Sequence, residues 1–245
     1  MTNLSVNLNA VAHLRNRRDL PWPSVPRIAR LVLDAGADGI TIHPRPDERH
    51  IRRADAFDLA KLVRQEYPQA EYNIEGYPGA EFMDLVEQAA PDQVTFVPDD
   101  PSQSTSDHGW NIAANHAVLI PAIAQMKAAG IRVSLFIDPV PAVAADAIAL
   151  GTDRIELYTA DYGGSFTQAA AEPHLKNLAA TAKLTQSAGL KVNAGHDLTL
   201  ENLPAFQRAV PGVAEVSIGH AITSDALLMG FAEAVRRYKA VLASA

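Results

Sequence analysis

The chain has 245 residues, of which 48% are hydrophobic and 20% charged, and its formal net charge is -7 at pH 7. This length is enough to form one sizeable core, and we predict a single domain over residues 1–245. The negative charge argues against a nucleic-acid partner, and the chain has no cysteine for a disulfide or a thiolate metal site.

Six short apolar runs recur along the chain, each after a helical stretch and a small residue that is often glycine, and LSVNLN at the front and AEYNIEG bring the candidate strands to eight. They lie at 4–9, 39–43, 71–76, 93–98, 132–138, 154–159, 191–196 and 215–220. Alternating strands and helices imply parallel strands with right-handed crossovers, and eight such units in ~250 residues are typical of an α/β protein with a (β/α)8 TIM barrel. An open doubly wound sheet is the alternative, but no Gly-x-Gly-x-x-Gly turn follows the first strand.

Most of these runs end in polar residues, and in a (β/α)8 barrel the carboxyl ends of the strands carry the chemistry. The residues at these ends are Asn7, Asn9, His43, Glu75, Pro98, Asp138, Glu156, His196 and His220. One such histidine alone is more often a satisfied rim residue, but three histidines and three carboxylates favour a site. The opposite ends carry Gly39, Glu71, Arg132, Arg154, Lys191 and Glu215, whose charges we interpret as ordinary solvated ones.

Side-chain alternation predicts which residues share a face of each strand. Thr41 and His43 fall on one face of their strand, and Asn73 and Glu75 on one face of the next. If that face points into the barrel, His43 and Glu75 could act as acid and base on one substrate. A buried Glu-His pair without a catalytic role is the alternative.

Metal and imine chemistry are two further interpretations of the same residues. Two histidines and a glutamate could hold zinc or iron in an isomerase or hydrolase, although the chain has no His-x-His or His-Glu-x-x-His pattern. A Schiff-base aldolase would need a lysine at a strand's carboxyl end, whereas Lys191 begins its strand. A non-catalytic barrel that binds a phosphorylated ligand is the third alternative.

Phosphate binding is indicated by the loops after the seventh and eighth strands. These loops, AGHDLTLEN and IGHAITSDA, each contain a glycine and lead into a helix through Thr, Ser or Asp caps, as in many barrel phosphate sites. Helix caps alone are the alternative. Bidentate guanidinium groups also suit phosphate, and arginines follow the first two strands. The long stretch at 99–111 is typical of a lid loop.

Neither the first residues of the chain nor its apolar runs indicate a membrane association. The first residues lack the basic start and the long apolar run of a signal peptide. Apolar runs such as RVSLFI at 132–137 are far shorter than the ~20 residues that span a bilayer. We therefore expect a cytoplasmic protein with no membrane partner.

Six segments together resemble the pyridoxine 5'-phosphate synthase family: VNLNAVAHLRNRR, AGADGITIHPRPDERHI, YNIEG, VSLFID, KVNAGHDLT and VSIGHAI. The resemblance covers nearly the whole chain. It implies a cytoplasmic homo-octamer of TIM barrels that uses neither metal nor organic cofactor. The implied reaction is a transferase step of vitamin B6 biosynthesis, in which 1-deoxy-D-xylulose 5-phosphate and 3-amino-2-oxopropyl phosphate give pyridoxine 5'-phosphate, inorganic phosphate and water.

The resemblance also implies roles for individual residues. His43 and Glu75 match proton acceptors, His196 matches a proton donor, and Glu156 matches a glutamate important for activity. Positions that hold the deoxyxylulose phosphate match Asn7, Arg45, His50 and Thr105. Positions beside the aminoketone phosphate match Arg18, Asp197, Gly219 and His220.

Three residues at two places depart from the family pattern. Many members have Asp-His where this chain has Asn9 and Ala10, so this substrate-binding position lacks the acidic and imidazole groups. Many members also have glycine at the position of Asp197. Because a carboxylate would repel a phosphate, we expect the Asp197 side chain to face away or to cap the following helix.

Overall fold

The computed structural model describes residues 1–99 and 106–244, and its eight parallel strands close into a barrel in chain order. Each strand pairs with the next, and the last pairs with the first, with Leu4 opposite Val216. The predicted (β/α)8 barrel is therefore confirmed. The strands are β1 (Asn3–Asn7), β2 (Gly39–Ile42), β3 (Glu71–Gly76), β4 (Gln93–Phe96), β5 (Arg132–Ile137), β6 (Arg154–Tyr158), β7 (Lys191–Gly195) and β8 (Glu215–Ile218).

Every strand except β3 ends one or two residues before its predicted end, because the polar end residues leave the hydrogen-bonded ladder. The amide of His43 donates to the side-chain oxygen of Asn9 at 2.9 Å instead of to a neighbouring strand. His196 has a φ of 80°, which lies outside the β region. The strand ends are thus already part of the loops that form the rim.

Helices surround the barrel, and several begin at recognisable caps. Ser24 accepts a hydrogen bond from the amide of Arg27 at 3.3 Å, and Thr167 accepts one from Ala170 at 3.3 Å. Within the described residues, no helix combines the length and the apolar character needed to cross a membrane. The helices are α1 (Asn9–Asn16), α2 (Val25–Asp34), α3 (Arg53–Glu66), α4 (Ala80–Ala89), α5 (His116–Ala128), α6 (Pro141–Ala149), α7 (Ala160–Gly163), α8 (Gln168–Ser187), α9 (Leu203–Ala209), α10 (His220–Met229) and α11 (Phe231–Ala243).

The inward face of the barrel is polar, as strand alternation predicts. Ser5 and Thr41 share a hydrogen bond of 2.7 Å, and Thr95 donates to Asn73 at 3.1 Å. The intervening apolar residues, such as Ile40, are fully buried in the hydrophobic core. Because the apolar residues of each strand pack into this core, the residues between them can be polar and point into the barrel.

The amino-terminal end of the barrel corrects one prediction. Arg154 and Glu215 are only 6% and 2% exposed, so their interpretation as solvated charges is wrong. Arg154 lies 3.4 Å from Glu71, which lies 2.5 Å from Arg132, and Asn193 bridges Arg154 to Glu215 with hydrogen bonds of 3.3 Å. These residues share the inward parity of the rim residues, and they form a buried ion-pair network inside the barrel.

Candidate active site

A cavity of about 480 Å³ opens at the carboxyl ends of the strands. Eleven of the predicted site residues line it: Asn7, Asn9, His43, Arg45, His50, Glu75, Glu156, His196, Asp197, Gly219 and His220. Arg18 is exposed and does not belong to the lining. Thr105 lies outside the described residues. These eleven residues lie at or after the ends of six different strands, and they share one cavity.

Four other polar residues line the cavity and were not predicted: His13, Ser106, Tyr158 and Ser217. Tyr158 follows Glu156 at the two-residue spacing of the inward face, and Ser217 precedes Gly219 at the same spacing, so strand alternation could have identified both. His13 lies on α1 and Ser106 lies in a loop. Neither of these two has a periodic signal in the sequence.

His43 and Glu75 form the closest acid-base pair of the cavity. Nδ1 of His43 is 3.9 Å from Oε2 of Glu75, and Asn7 donates to the same oxygen at 3.4 Å. Burial lowers the pKa of His43 well below its usual value, and the nearby Arg45 lowers it further. Burial raises the pKa of Glu75 well above its usual value, with the Glu156 carboxylate as the next cause. Both shifts favour the uncharged side chains.

Gly195 ends β7, and a side chain at this position would collide with the Glu156 side chain of the neighbouring strand β6. A Cβ atom at this position would lie 2.4 Å from Oε1 of Glu156. Glycine therefore lets the Glu156 carboxyl group lie against the β7 backbone, deep in the barrel mouth. Burial there raises the pKa of Glu156 to about 7, so this carboxyl group can exchange a proton near neutral pH.

The backbone after Gly195 is strained. His196 and Asp197 have φ angles of 80° and 55°, in the left-handed region that residues with a Cβ rarely adopt. The hydroxyl oxygen of Thr159 lies 2.6 Å from the carbonyl oxygen of Gly195 and 2.5 Å from that of His196. This contact from the β6 side helps to hold the unusual turn and points the imidazole into the cavity.

Two aromatic rings fix the imidazole of His196. Its centroid is 5.3 Å from that of Phe136 and 5.3 Å from that of Tyr158. Burial among these rings lowers the pKa of His196, while the carboxylates of Asp197 and Asp99 act in the opposite direction. The ring is thereby held in one orientation as a neutral group that can accept or return a proton.

Arg45 and His50 lie in the cavity lining, where Arg45 supplies a positive charge and His50 a hydrogen-bond donor. Both are buried. The amide of Ile51 donates to Nδ1 of His50 at 2.9 Å, so the neutral ring carries its proton on Nε2. Burial lowers the pKa of His50 to about 4, with Arg45 as the next cause. His50 is therefore a neutral donor, and Arg45 supplies the positive charge.

The loop after β8 leads directly into α10. Gly219 is the N-cap and His220 is the first helical residue, so the predicted Thr, Ser or Asp cap is wrong for this loop. Gly219, His220 and Ala221 all line the cavity. The first turn of a ten-residue helix therefore lies at the cavity wall, where its amide groups and dipole favour an anion.

Comparison with known proteins identifies the family. The model of the family described as "Pyridoxal phosphate biosynthesis protein PdxJ" matches residues 4–244. The chain belongs to this family. A relative from Brucella anthropi is 55% identical over 241 residues, and one from Mesorhizobium japonicum is 57% identical over 236 residues. These matches cover 98% and 96% of this chain, and the same shares of the relatives, and both relatives are named pyridoxine 5'-phosphate synthase. The family predicted from the six motifs is confirmed.

Solved structures of low sequence identity share the fold of this PdxJ-family chain. Thiamine phosphate pyrophosphorylase from Pyrococcus furiosus has a TM-score of 0.62 at 15% identity, over 99% of this chain and 96% of its own. A 3-hexulose-6-phosphate synthase has a TM-score of 0.64 at 16% identity, over 98% and 99%. At such identities the likeness supports the barrel architecture alone.

The first departure from the family pattern has a structural explanation. The side-chain oxygen of Asn9 accepts a hydrogen bond from the backbone amide of His43, and the backbone amide of Asn9 donates to Oδ1 of Asn7 at 3.0 Å. An aspartate would offer the same acceptor oxygen. Asparagine in this PdxJ-family chain therefore keeps the contact that positions His43 and removes one negative charge from the cavity.

The second departure corrects a prediction. Asp197 lines the cavity and does not cap α9, so the expected helix cap is wrong. That helix begins after Asn202, whose side chain donates to the Asp197 carbonyl at 2.8 Å. The carboxylate of Asp197 contributes to the raised pKa of Tyr158, after burial and Asp161.

The metal-dependent alternative requires histidine and carboxylate side chains that are close enough together to hold one ion. Among residues 1–99 and 106–244, no group of three or more histidine or carboxylate side chains is arranged to hold a metal ion. The cavity is lined by Asn, His and Arg residues as well as by residues with carboxyl groups. The described part of the site is thus suited to hydrogen bonding and proton transfer.

Proposed function

We propose that the enzyme condenses 1-deoxy-D-xylulose 5-phosphate with 3-amino-2-oxopropyl phosphate, giving pyridoxine 5'-phosphate, inorganic phosphate and water. The observation that carries this proposal is the convergence of His43, Glu75 and His196 on one cavity beside Arg45 and the start of α10. A reaction that joins two phosphorylated molecules needs several proton transfers and two anion sites. The names of the close relatives support the same reaction.

The proposed sequence of events begins with an imine between the two substrates. The amine of the aminoketone attacks the ketone of the deoxyxylulose phosphate, and Glu75 then removes a proton to form an enamine. His43 and His196 transfer protons as phosphate and water leave and the ring closes. The 3.9 Å separation of His43 and Glu75 is short enough for proton exchange after a small movement.

Binding and proximity supply the remainder of the proposed catalysis. Arg45 and His50 would hold the phosphate of the deoxyxylulose substrate, with Asn7, Asn9 and Thr105 as further contacts. The aminoketone phosphate would bind near the start of α10, with contacts to Arg18, Asp197, Gly219 and His220. Two substrates fixed in this way react as if at high local concentration. We also propose a cytoplasmic homo-octamer, as the family resemblance implies.

The reaction itself is tested by incubating the purified enzyme with both phosphorylated substrates. We expect pyridoxine 5'-phosphate by mass spectrometry, together with stoichiometric inorganic phosphate. Samples that contain only one substrate serve as controls. If both substrates together give no more product than either alone, the proposed reaction is refuted.

Metal removal should leave turnover unchanged. The proposed steps need only the side chains of the chain itself, so dialysis against a chelator should not reduce the rate. Elemental analysis of the protein before dialysis and the rate of product formation afterwards are the measurements. Stoichiometric metal whose removal abolishes activity would instead support the metal-dependent alternative.

Replacing Glu156 with glutamine should move the acid limb of the pH-rate profile to lower pH. Glu75 must be ionised to act as a base, so the rate falls as the pH falls through its raised pKa. The Glu156 carboxylate is one cause of that increase, and the pKa of Glu156 itself is about 7. Its removal lowers the pKa of Glu75. The profile of kcat/KM against pH is the measurement, and an unmoved acid limb would contradict the coupling.

A further inference from the structure

Asp99 is a buried carboxylate next to the active site, and it follows β4. It is 6% exposed and is not part of the described lining of the main cavity. Instead it lines a second cavity of about 420 Å³, which shares His43 and Arg45 with the first. Asp99 therefore lies behind two residues that are proposed to contact the substrate.

One oxygen of Asp99 reaches three side chains of the main cavity. Its Oδ2 atom is 2.5 Å from Nη2 of Arg45 and 2.6 Å from Oγ of Ser106. The same atom is 3.9 Å from Nε2 of His43. On the opposite edge of that ring, Oε2 of Glu75 is 3.9 Å from Nδ1. The imidazole of His43 thus lies between two carboxyl groups, one at each ring nitrogen.

A purely structural role explains this arrangement poorly. A buried ion pair recovers its desolvation cost only when its remaining lone pairs are also hydrogen-bonded. Oδ1 of Asp99 is buried and has no hydrogen-bond partner among the described residues. The carboxylate therefore retains a cost that an apolar pair of similar volume would avoid, and such unrecovered costs are a feature of functional sites.

We propose that Asp99 is a positioning residue for the synthase reaction, which orients the Arg45 guanidinium for the substrate phosphate and stabilises the protonated imidazole of His43. This inference rests on the proposed function. A carboxylate that orients an imidazole and stabilises its cation recurs in acid-base enzymes on unrelated folds. Here it lets His43 carry a proton transiently between the Glu75 side and the Asp99 side without leaving its site.

The pH dependence of His43 reflects the charged groups of the described residues that face it. These groups are Glu75 on β3, Asp99 after β4, His196 after β7, and Arg45, Arg49 and His50 on its own loop. Among these named groups, the two carboxylates attract the protonated ring. Removing the charge of Asp99 therefore lowers the pKa of His43, and whichever limb of the profile His43 controls moves to lower pH.

The test compares the variant Asp99→Asn with the control Asp47→Asn. The control removes a carboxylate from the loop of Arg45, but its side chain is 49% exposed and pairs with Arg49 at 2.7 Å. For Asp99→Asn we expect kcat to fall about 10²-fold, since a small misplacement of catalytic groups has an effect of this size. We also expect a higher KM for the deoxyxylulose substrate and a pH-rate profile displaced to lower pH. The control should behave as wild type.

Each outcome decides between a positioning role and a structural one. A second variant, Asp99→Glu, keeps the charge and should retain the wild-type position of the pH limb while recovering part of the turnover. If Asp99→Asn does not fold, a displaced limb in Asp99→Glu overturns the proposal and an unmoved limb supports it. Asp99→Asn kinetics equal to the control would refute the role of Asp99 alone, whereas wild-type enzyme that forms no product would refute the proposed reaction.

Discussion

Replacing Glu75 with glutamine should lower kcat by about 10²-fold to 10⁴-fold, the usual contribution of a positioned general base. The glutamine side chain has nearly the same size and can still accept a hydrogen bond from Asn7, so the cavity keeps its shape. It cannot take the proton whose removal forms the enamine. We therefore expect a loss of turnover with substrate binding largely preserved, measured by steady-state kinetics and by calorimetric titration with each substrate.

Glu81→Gln is the matched control for this variant. Glu81 is an exposed residue in the first turn of α4, and the substitution makes the same chemical change outside the cavity. Its kinetics should equal those of the wild type. Unchanged turnover in Glu75→Gln would contradict the role of Glu75 as a base, and loss of binding without loss of kcat would assign it to substrate binding.

The fold and the core of the site could be predicted from the sequence because both depend on short-range periodicity. Alternation fixes which residues of a strand face inward, and parallel strands bring all carboxyl ends to the same rim. His43 and Glu75 could therefore be paired although they lie on different strands. Nothing beyond the order of the strands was needed for that step.

Other features depend on contacts that have no periodic signal. Asp99 and Arg45 are 54 residues apart and lie in loops, so only the folded chain shows their ion pair. Asp197 has a φ of 55°, a backbone conformation that its residue type does not indicate. The N-cap of α9 is Asn202 and not Asp197, which only the folded loop shows.

The amino-terminal end of the barrel shows a third limit, since charge alone does not reveal burial. Arg and Glu residues are mostly solvated, and this average led to the wrong interpretation of Arg154 and Glu215. Arg154 is held between Glu71 and Asn193, and its Nε atom has no hydrogen-bond partner among the described residues. Burial raises the pKa of Glu215 well above its usual value, while Arg154 acts in the opposite direction. Arg154 is therefore the central positive charge of a polar barrel floor.

Replacing Arg154 with methionine should reduce the free energy of unfolding by about 3–5 kcal/mol, because it removes the buried cation whose charge offsets that of Glu215 and leaves Glu71 with Arg132 alone. Glu215 then favours its protonated form more strongly. A carboxyl group whose pKa is raised by folding stabilises the protein at low pH and ceases to do so as the pH rises through that pKa, so the loss should grow towards alkaline pH. Urea unfolding at several pH values measures both effects.

Arg30→Met is the control, since Arg30 pairs with Glu66 at 2.6 Å with 46% of its side chain exposed, and it should change stability far less. Equal losses in the two variants would mean that burial of the network does not determine its contribution.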